Sequence, residues 1–296
     1  MFNQTRIAII SIAVIIPLSS FAVLNSSQSI ILDEPKINEQ KVVAIASFFP
    51  LYEFTKEIGR EKVDVTLLVP SGVEPHDWEP TIKNLQLMQQ ADVIIINGIG
   101  FENWIDNIDS VNSDVKVVDT SIGISILESD PHIWLNPVMA QKQVENIVDS
   151  LSKVDPLNEK YYKQNGISYI KKLDELDNKI SYELSSCKKD FISFHDAFSY
   201  FANQYDLNQH TVLKSNEPHE EPTSKSLENI INLARDLDSN VIFTEEAVDK
   251  RASQVIANEI GGKVLTLSPL EVGDSQTDYI KKMEENLLHL KEALCN

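Results

Sequence analysis

The sequence predicts an α/β protein of two lobes, each a mainly parallel sheet flanked by helices, joined by one long interlobe helix. Three observations predict it. Short apolar runs alternate with amphipathic stretches as far as about residue 156, the same alternation restarts after residue 187, and a charged, proline-free stretch of helical pattern lies between. At 296 residues the chain is also long for one compact core and suits two of ordinary size.

In the first lobe, Val42 to Ser47 (VVAIAS) reads as a short buried strand. Leu51 to Gly59 puts Leu51, Phe54 and Ile58 on one helical face before a glycine stop. Val63 to Val69 is strand-like. Thr81 to Gln90 is helical, with Ile82, Leu85 and Met88 along one side, and Val93 to Asn97 is another buried strand, followed by one near Val117. Asn136 and Pro137, a capping residue and a helix-opening proline, start a helix that runs to about Val154.

Leu157 to Ser186 carries Tyr162, Ile170, Leu173, Leu176 and Ile180 as an apolar stripe. At ~1.5 Å per residue such a helix reaches ~40 Å, enough to join two lobes stiffly; an amphipathic core helix within one lobe is the competing reading. The second lobe follows with strands at Phe191 to Phe194, Val241 to Thr244 and Val264 to Leu267. Its helices are expected at Ala197 to Tyr205, Ser226 to Leu237, Ala252 to Ile260 and Thr277 to Leu294. The division expected is 41–156 for the first lobe, 157–187 for the linker helix and 188–296 for the second lobe.

Ahead of these, the apolar stretch from Ile7 to Leu24 makes residues 1–25 a signal peptide or an N-terminal membrane anchor. Residues 26–40, rich in Ser, Asn and charge, read as a flexible tether. The folded part is therefore expected outside the cytoplasm, secreted or anchored to the outer face of the cytoplasmic membrane.

Asp plus Glu number 45 against 26 Lys plus Arg, a formal net charge of −19 that repels phosphate backbones and argues against a nucleic-acid partner. The same surface attracts cations, although solubility alone also accounts for it. Cys187 and Cys295 are the two cysteines, too few for a thiolate zinc site. They form either one disulfide in an oxidising compartment or two free thiols.

A metal site must then draw on His and carboxylates. Of six histidines, three share a setting at strand ends or helix starts: His76 in GVEPHDWEP, His132 in DPHIWLNP and His195 in FISFHDAF. Ligands collect at the carboxyl ends of parallel strands, so these rings can reach a common edge. Pro75 and Pro131 restrict the backbone beside two of them. Imidazole suits Zn²⁺, three rings leave a fourth tetrahedral position, and Asp77 and Asp196 are candidates to orient the rings. His210, His219 and His289 read as ordinary polar residues, with transient metal capture conceivable at His219 in its acidic loop.

The blocks VVAIASFFPLYEFTKEIG, VTLLVPSGVEPHDWEP, ADVIIINGIGFENW, DPHIWLNP, FISFHDAFSYFANQY and VIFTEEAVDKRASQVIA occur in the order seen in the zinc/manganese-binding substrate-binding proteins of ABC transporters. The chain resembles that family from Lys41 to its C-terminus. The resemblance implies two lobes joined by a rigid helix, a metal ion in the cleft between them and delivery to a membrane permease. It places the family's histidine ligands on His76, His132 and His195. The third is His in zinc-type members and often Glu in manganese-type ones, so Zn²⁺ is the expected metal and Mn²⁺ the alternative.

The pattern departs where the family carries an Asp ligand: LSPLE puts Ser268 there, a weak ligand for Zn²⁺. Water is the first choice for the fourth position, then Glu271 or Glu245. The segment SIGISILES lacks the histidine-rich loop of many zinc-type members, and no cysteine stands ready for lipid attachment. The expected function is high-affinity Zn²⁺ binding as a monomer and hand-over to an ABC permease. A zinc hydrolase or lyase and a Mn²⁺ receptor or adhesin are the alternatives, the enzyme disfavoured because no HExxH, nucleophile elbow or phosphate loop is present.

Overall fold

The structure is a computed structural model that describes residues 40–105, 115–213, 221–246, 248–274 and 276–295. The signal or anchor reading of 1–25 and almost all of the tether lie outside the described residues, as does His219. Among the described residues no helix is long and apolar enough to cross a membrane.

The first lobe holds β1 (Val42–Ala46), β2 (Val63–Leu67), β3 (Val93–Ile96) and β4 (Lys116–Asp119), all parallel, in the order β2-β1-β3-β4. The central strands β1 and β3 are nearly continuous apolar runs because helices cover both faces of a parallel sheet. The edge strand β2 alternates buried and more exposed residues instead. Helices α1 (Phe49–Gly59), α2 (Ile82–Met88) and α3 (Pro137–Val154) complete the lobe. The Asn136 side chain accepts from the backbone N–H groups of Val138 and Met139, and Pro137 opens α3 as its sequence implies. The expected apolar face of α2 is only partly present: Met88 is buried, but Ile82 is 77% exposed at the start of the short helix.

A turn of 3-10 helix leads into α4 (Glu159–Leu184), 26 residues and so ~39 Å long. This is the interlobe helix. One side of it packs on α1 and α3, and it also packs on α8 (Tyr279–Leu294) of the second lobe. Gly166 permits the close approach to α3, since a Cβ there would stand 2.5 Å from Val148 Cγ2.

The second lobe pairs β5 (Asp190–Ser193) with β6 (Asn208–Thr211) and β7 (Val241–Thr244) with β8 (Lys263–Thr266), again parallel, with β5 lying beside β7. Strand β6 was not expected. Its NQHT sequence lacks apolar residues because it pairs on one side only and none of its residues is fully buried. Helices α5 (Ser199–Gln204), α6 (Ser224–Asp236) and α7 (Arg251–Ile260) accompany α8.

The main core runs without a break from β1 and β3 through α4 to β5, β7 and α8. At its centre Phe54 of α1 meets Tyr279 of α8 at 4.9 Å and Tyr169 of α4 at 5.8 Å between ring centroids. The two lobes are thus welded through shared apolar packing. Cys187, just past α4, is disulfide-bonded to Cys295 at the end of α8, which decides the alternative left by the sequence.

Candidate metal centre

Each lobe supplies two side chains to one buried point. His76 stands in the loop that follows β2, and His132 immediately precedes the 3-10 turn Ile133–Leu135. From the second lobe come His195, just past the end of β5, and Glu271, in the loop after β8. All four thus lie in loops on the carboxyl side of strands, where the parallel topology places ligands. His132 and His195 are 0% exposed and Glu271 3% exposed.

The distances are specific. His132 Nε2 lies 3.3 Å from His76 Nε2, 3.4 Å from His195 Nε2 and 3.1 Å from Glu271 Oε1. Glu271 Oε1 is 3.2 Å from His76 Nε2 and 3.8 Å from His195 Nε2. Four donors bonded at about 2.0–2.1 Å to a tetrahedral Zn²⁺ would stand ~3.3–3.4 Å apart, close to the three distances from His132 and the one between Glu271 and His76, while Glu271 to His195 is longer.

Hydrogen bonds on the far sides of the rings fix what those nitrogens offer. Asp130 Oδ1 accepts from both the backbone N–H of His132 (3.0 Å) and its Nδ1 (2.6 Å). Glu245 Oε1 does the same for His195, at 3.2 and 2.7 Å. With Nδ1–H donating to a carboxylate, the neutral ring turns the lone pair of Nε2 toward the shared point. Converging lone pairs repel one another unless a proton or a cation stands between them.

The titration of the site follows. Burial opposes charge on His132, but its hydrogen bonds to Asp130 and Glu271, and their charges, win and push it up to about 9. Burial would raise Glu271, yet hydrogen bonds from His132 and His76 hold it well below the usual carboxylate range. Beside it Glu74, which accepts from the His76 backbone N–H, is pushed up to about 9 by burial and then by the charge of Glu271. One of the two neighbouring carboxyl groups is thus ionised and the other protonated at neutral pH.

Aromatic rings line one side of the donors. Phe101 lies 4.8 Å from the His76 ring and Trp134 5.1 Å from that of His132, with Phe48 packed on both. These rings exclude water on that side and strengthen electrostatic interactions inside.

The structure brings His76, His132, His195 and Glu271 together, all four donor atoms within 4.8 Å of one another. It does not bring Ser268: its hydroxyl accepts from the backbone N–H of Leu270 and takes no place among the donors. Glu245 is also outside the set, because its carboxylate is held behind the His195 ring. Beside the three imidazoles, where water was the first choice for the fourth position, the structure places the Glu271 carboxylate. Nor do the sequence neighbours orient the rings: Asp196 accepts from Ser199 Oγ, and the carboxylates on the rings are Asp130 and Glu245. Asp130, two residues before His132, was visible as part of DPH, whereas Glu245 lies 50 residues from its ring. His210 pairs with Asp190 and His289 donates to the Thr266 carbonyl, so both remain structural.

A cleft between two α/β lobes, closing a three-nitrogen, one-oxygen donor set around a single point, defines the class of two-lobed metal-binding receptors. The chain belongs to the family of periplasmic component A of zinc-uptake complexes, ZnuA, whose model matches residues 44–293. It is 36% identical to the high-affinity zinc uptake system protein ZnuA of Bacillus subtilis (strain 168), across 86% of this chain and 88% of the relative. It is 32% identical to the zinc-binding lipoprotein AdcA of Streptococcus pneumoniae (strain R6), of which it spans 56%. The crystal structure of the Zn(II)-bound ZnuA-like domain of Streptococcus pneumoniae AdcA superimposes with a TM-score of 0.77 at 32% identity, covering 86% of this chain and 99% of that domain.

Proposed function

We propose that this protein is the extracytoplasmic receptor of a zinc importer, which takes Zn²⁺ onto His76, His132, His195 and Glu271 and delivers it to the permease of an ABC transporter. The observation that carries the reading is the convergence of three imidazole nitrogens and one carboxylate oxygen within 4.8 Å of one another, with four of the pairs at 3.1–3.4 Å, near the edge of a tetrahedron around Zn²⁺. Three imidazoles favour Zn²⁺ over Mn²⁺, which prefers oxygen. Family membership supports a transport component.

The fourth donor also weighs against a hydrolase or lyase. Catalytic zinc sites keep a position open for water, whereas in this reading the buried Glu271 carboxylate takes that position. The reading also takes the chain to act as a monomer without a nucleic-acid partner, the latter in keeping with its charge of −19. Residues 1–25 direct export, and residues 26–40 tether the lobes if the apolar segment remains as an anchor. The Cys187–Cys295 disulfide is in keeping with an oxidising compartment.

The test is a Zn²⁺ titration of the purified protein against a competing chelator. A single tight site is expected, and Ala at His76, His132 and His195 together should abolish it. Unchanged affinity in that triple variant would refute the assignment. Chelator-sensitive hydrolysis of a model ester by the zinc-loaded protein would favour the enzyme instead.

A further inference from the structure

The turn that presents Glu271 is buried: Leu267, Ser268, Leu270 and Glu271 are all less than 5% exposed. Its backbone groups must therefore find partners inside the protein. Asn286 of α8 accepts from the Ser268 N–H (2.8 Å) and donates to the Ser268 carbonyl (2.7 Å). The Ser268 hydroxyl accepts from the Leu270 N–H (3.2 Å). These contacts stay within the second lobe. The Pro269 carbonyl is different, because it accepts from the indole Nε1–H of Trp134 at 2.7 Å, and Trp134 belongs to the 3-10 turn of the first lobe that begins directly after His132.

Trp134 is itself held in place. Its ring is 0% exposed, packed edge-on against Phe48 at 4.6 Å and Phe101 at 5.1 Å, and its carbonyl accepts from the Tyr279 hydroxyl of α8 at 2.5 Å. Leu270 meanwhile sits at φ 58°, in the left-handed region that a leucine adopts only under constraint. The turn is held in this conformation by the hydrogen bonds to Trp134, Asn286 and Ser268, and the residue that follows it, Glu271, reaches the histidines.

We infer that Trp134 is a positioning residue for zinc capture: through Pro269 it sets the place of the Glu271 carboxylate relative to His132, and Ser268, where the family pattern puts a ligand, serves the same turn as a brace. The inference rests on the reading of Glu271 as a metal donor. It explains how a chain with serine in place of the aspartate still completes the set. Without the indole N–H, the Pro269 carbonyl is left buried and unpaired, the strained turn relaxes, and the carboxylate withdraws.

The experiment is a double-mutant cycle on the full protein, read as Zn²⁺ affinity by chelator competition, with the visible bands of the Co²⁺-loaded protein as the spectroscopic readout. Trp134→Phe keeps the apolar ring and removes only the donor. It is expected to weaken Zn²⁺ binding about 10- to 100-fold. Glu271→Gln weakens it as well, and adding Trp134→Phe to Glu271→Gln should change nothing further, because the indole acts through that carboxylate. The Co²⁺ spectrum of Trp134→Phe should shift toward that of Glu271→Gln.

An equal loss from Trp134→Phe in both backgrounds would show a general packing role and overturn the inference, as would no loss at all. If Glu271→Gln alone leaves affinity unchanged, the donor assignment of Glu271 fails and this inference with it, a result distinct from the other two. Should Trp134→Phe not fold, Ser268→Ala takes its place in the cycle under the same expectations. Ser268→Thr, which keeps the hydroxyl, should then restore affinity, and failure to do so would overturn the brace.

Discussion

Zinc affinity should climb with pH well beyond the ordinary histidine range. His132, pushed up to about 9 by Asp130 and Glu271 against the effect of burial, carries a proton at neutral pH in the metal-free protein. That proton occupies the Nε2 position the metal needs, so Zn²⁺ must displace it. Affinity is therefore highest above about pH 9 and falls about tenfold for each unit below that value. Near pH 7 this amounts to roughly 100-fold, or about 3 kcal/mol, of unrealised affinity.

The assay is competition with a chelator of known proton affinity across that range, together with calorimetry in two buffers of different ionisation enthalpy to count protons. Near pH 7, binding should release about one proton from His132. Glu74, also held near 9 by burial and the charge of Glu271, adds to the release once the metal neutralises its neighbour. Asp130→Asn removes a charge that raises His132, and should move the onset of the fall to lower pH. An affinity that is flat from neutral pH upward, with no proton released, would refute the reasoning.

Three further outcomes are expected. Replacing both Cys187 and Cys295 by Ser opens a link that spans 108 residues and should cost about 4–5 kcal/mol of unfolding free energy in denaturant titrations; a loss below about 1 kcal/mol would mean that other contacts already restrain α8. Gly166→Ala should destabilise by about 1–3 kcal/mol in thermal melts despite its better helix propensity, because its Cβ would meet Val148 Cγ2 at 2.5 Å, and Val148→Ala should relieve it. If the single variant is neutral, α3 and α4 are less tightly apposed than described. Small-angle scattering profiles of metal-free and zinc-loaded protein should nearly superimpose, since one apolar core runs through both lobes and α4; a large change in radius of gyration would contradict that rigidity.

Much of this was legible in the amino-acid sequence, and the reasons are local. Val93–Ile96 is apolar throughout because a central parallel strand is covered on both faces, and Asn136-Pro137 opens a helix by its own chemistry. The three histidines declared themselves through their blocks at strand ends. Legibility stopped where a residue's role depends on what packs beside it. Strand β6 has a polar sequence that only its pairing with β5 makes a strand, and Ile82 fits a helical face that the short α2 does not bury.

By itself, then, the sequence determined the alternation of strands and helices and the long bridging helix, and singled out three histidines that the fold brings together, because each of these is written in short-range periodicity or in one compact block. Tertiary structure alone decided that Glu271 rather than Ser268 joins the three histidines, since the two are three residues apart and the turn between them chooses which one faces His132. It also decided that Glu245 stands behind the His195 ring and that Cys187 meets Cys295. Those contacts join positions 50 and 108 residues apart, and their distances exist only once β5 lies beside β7 and α8 packs on α4.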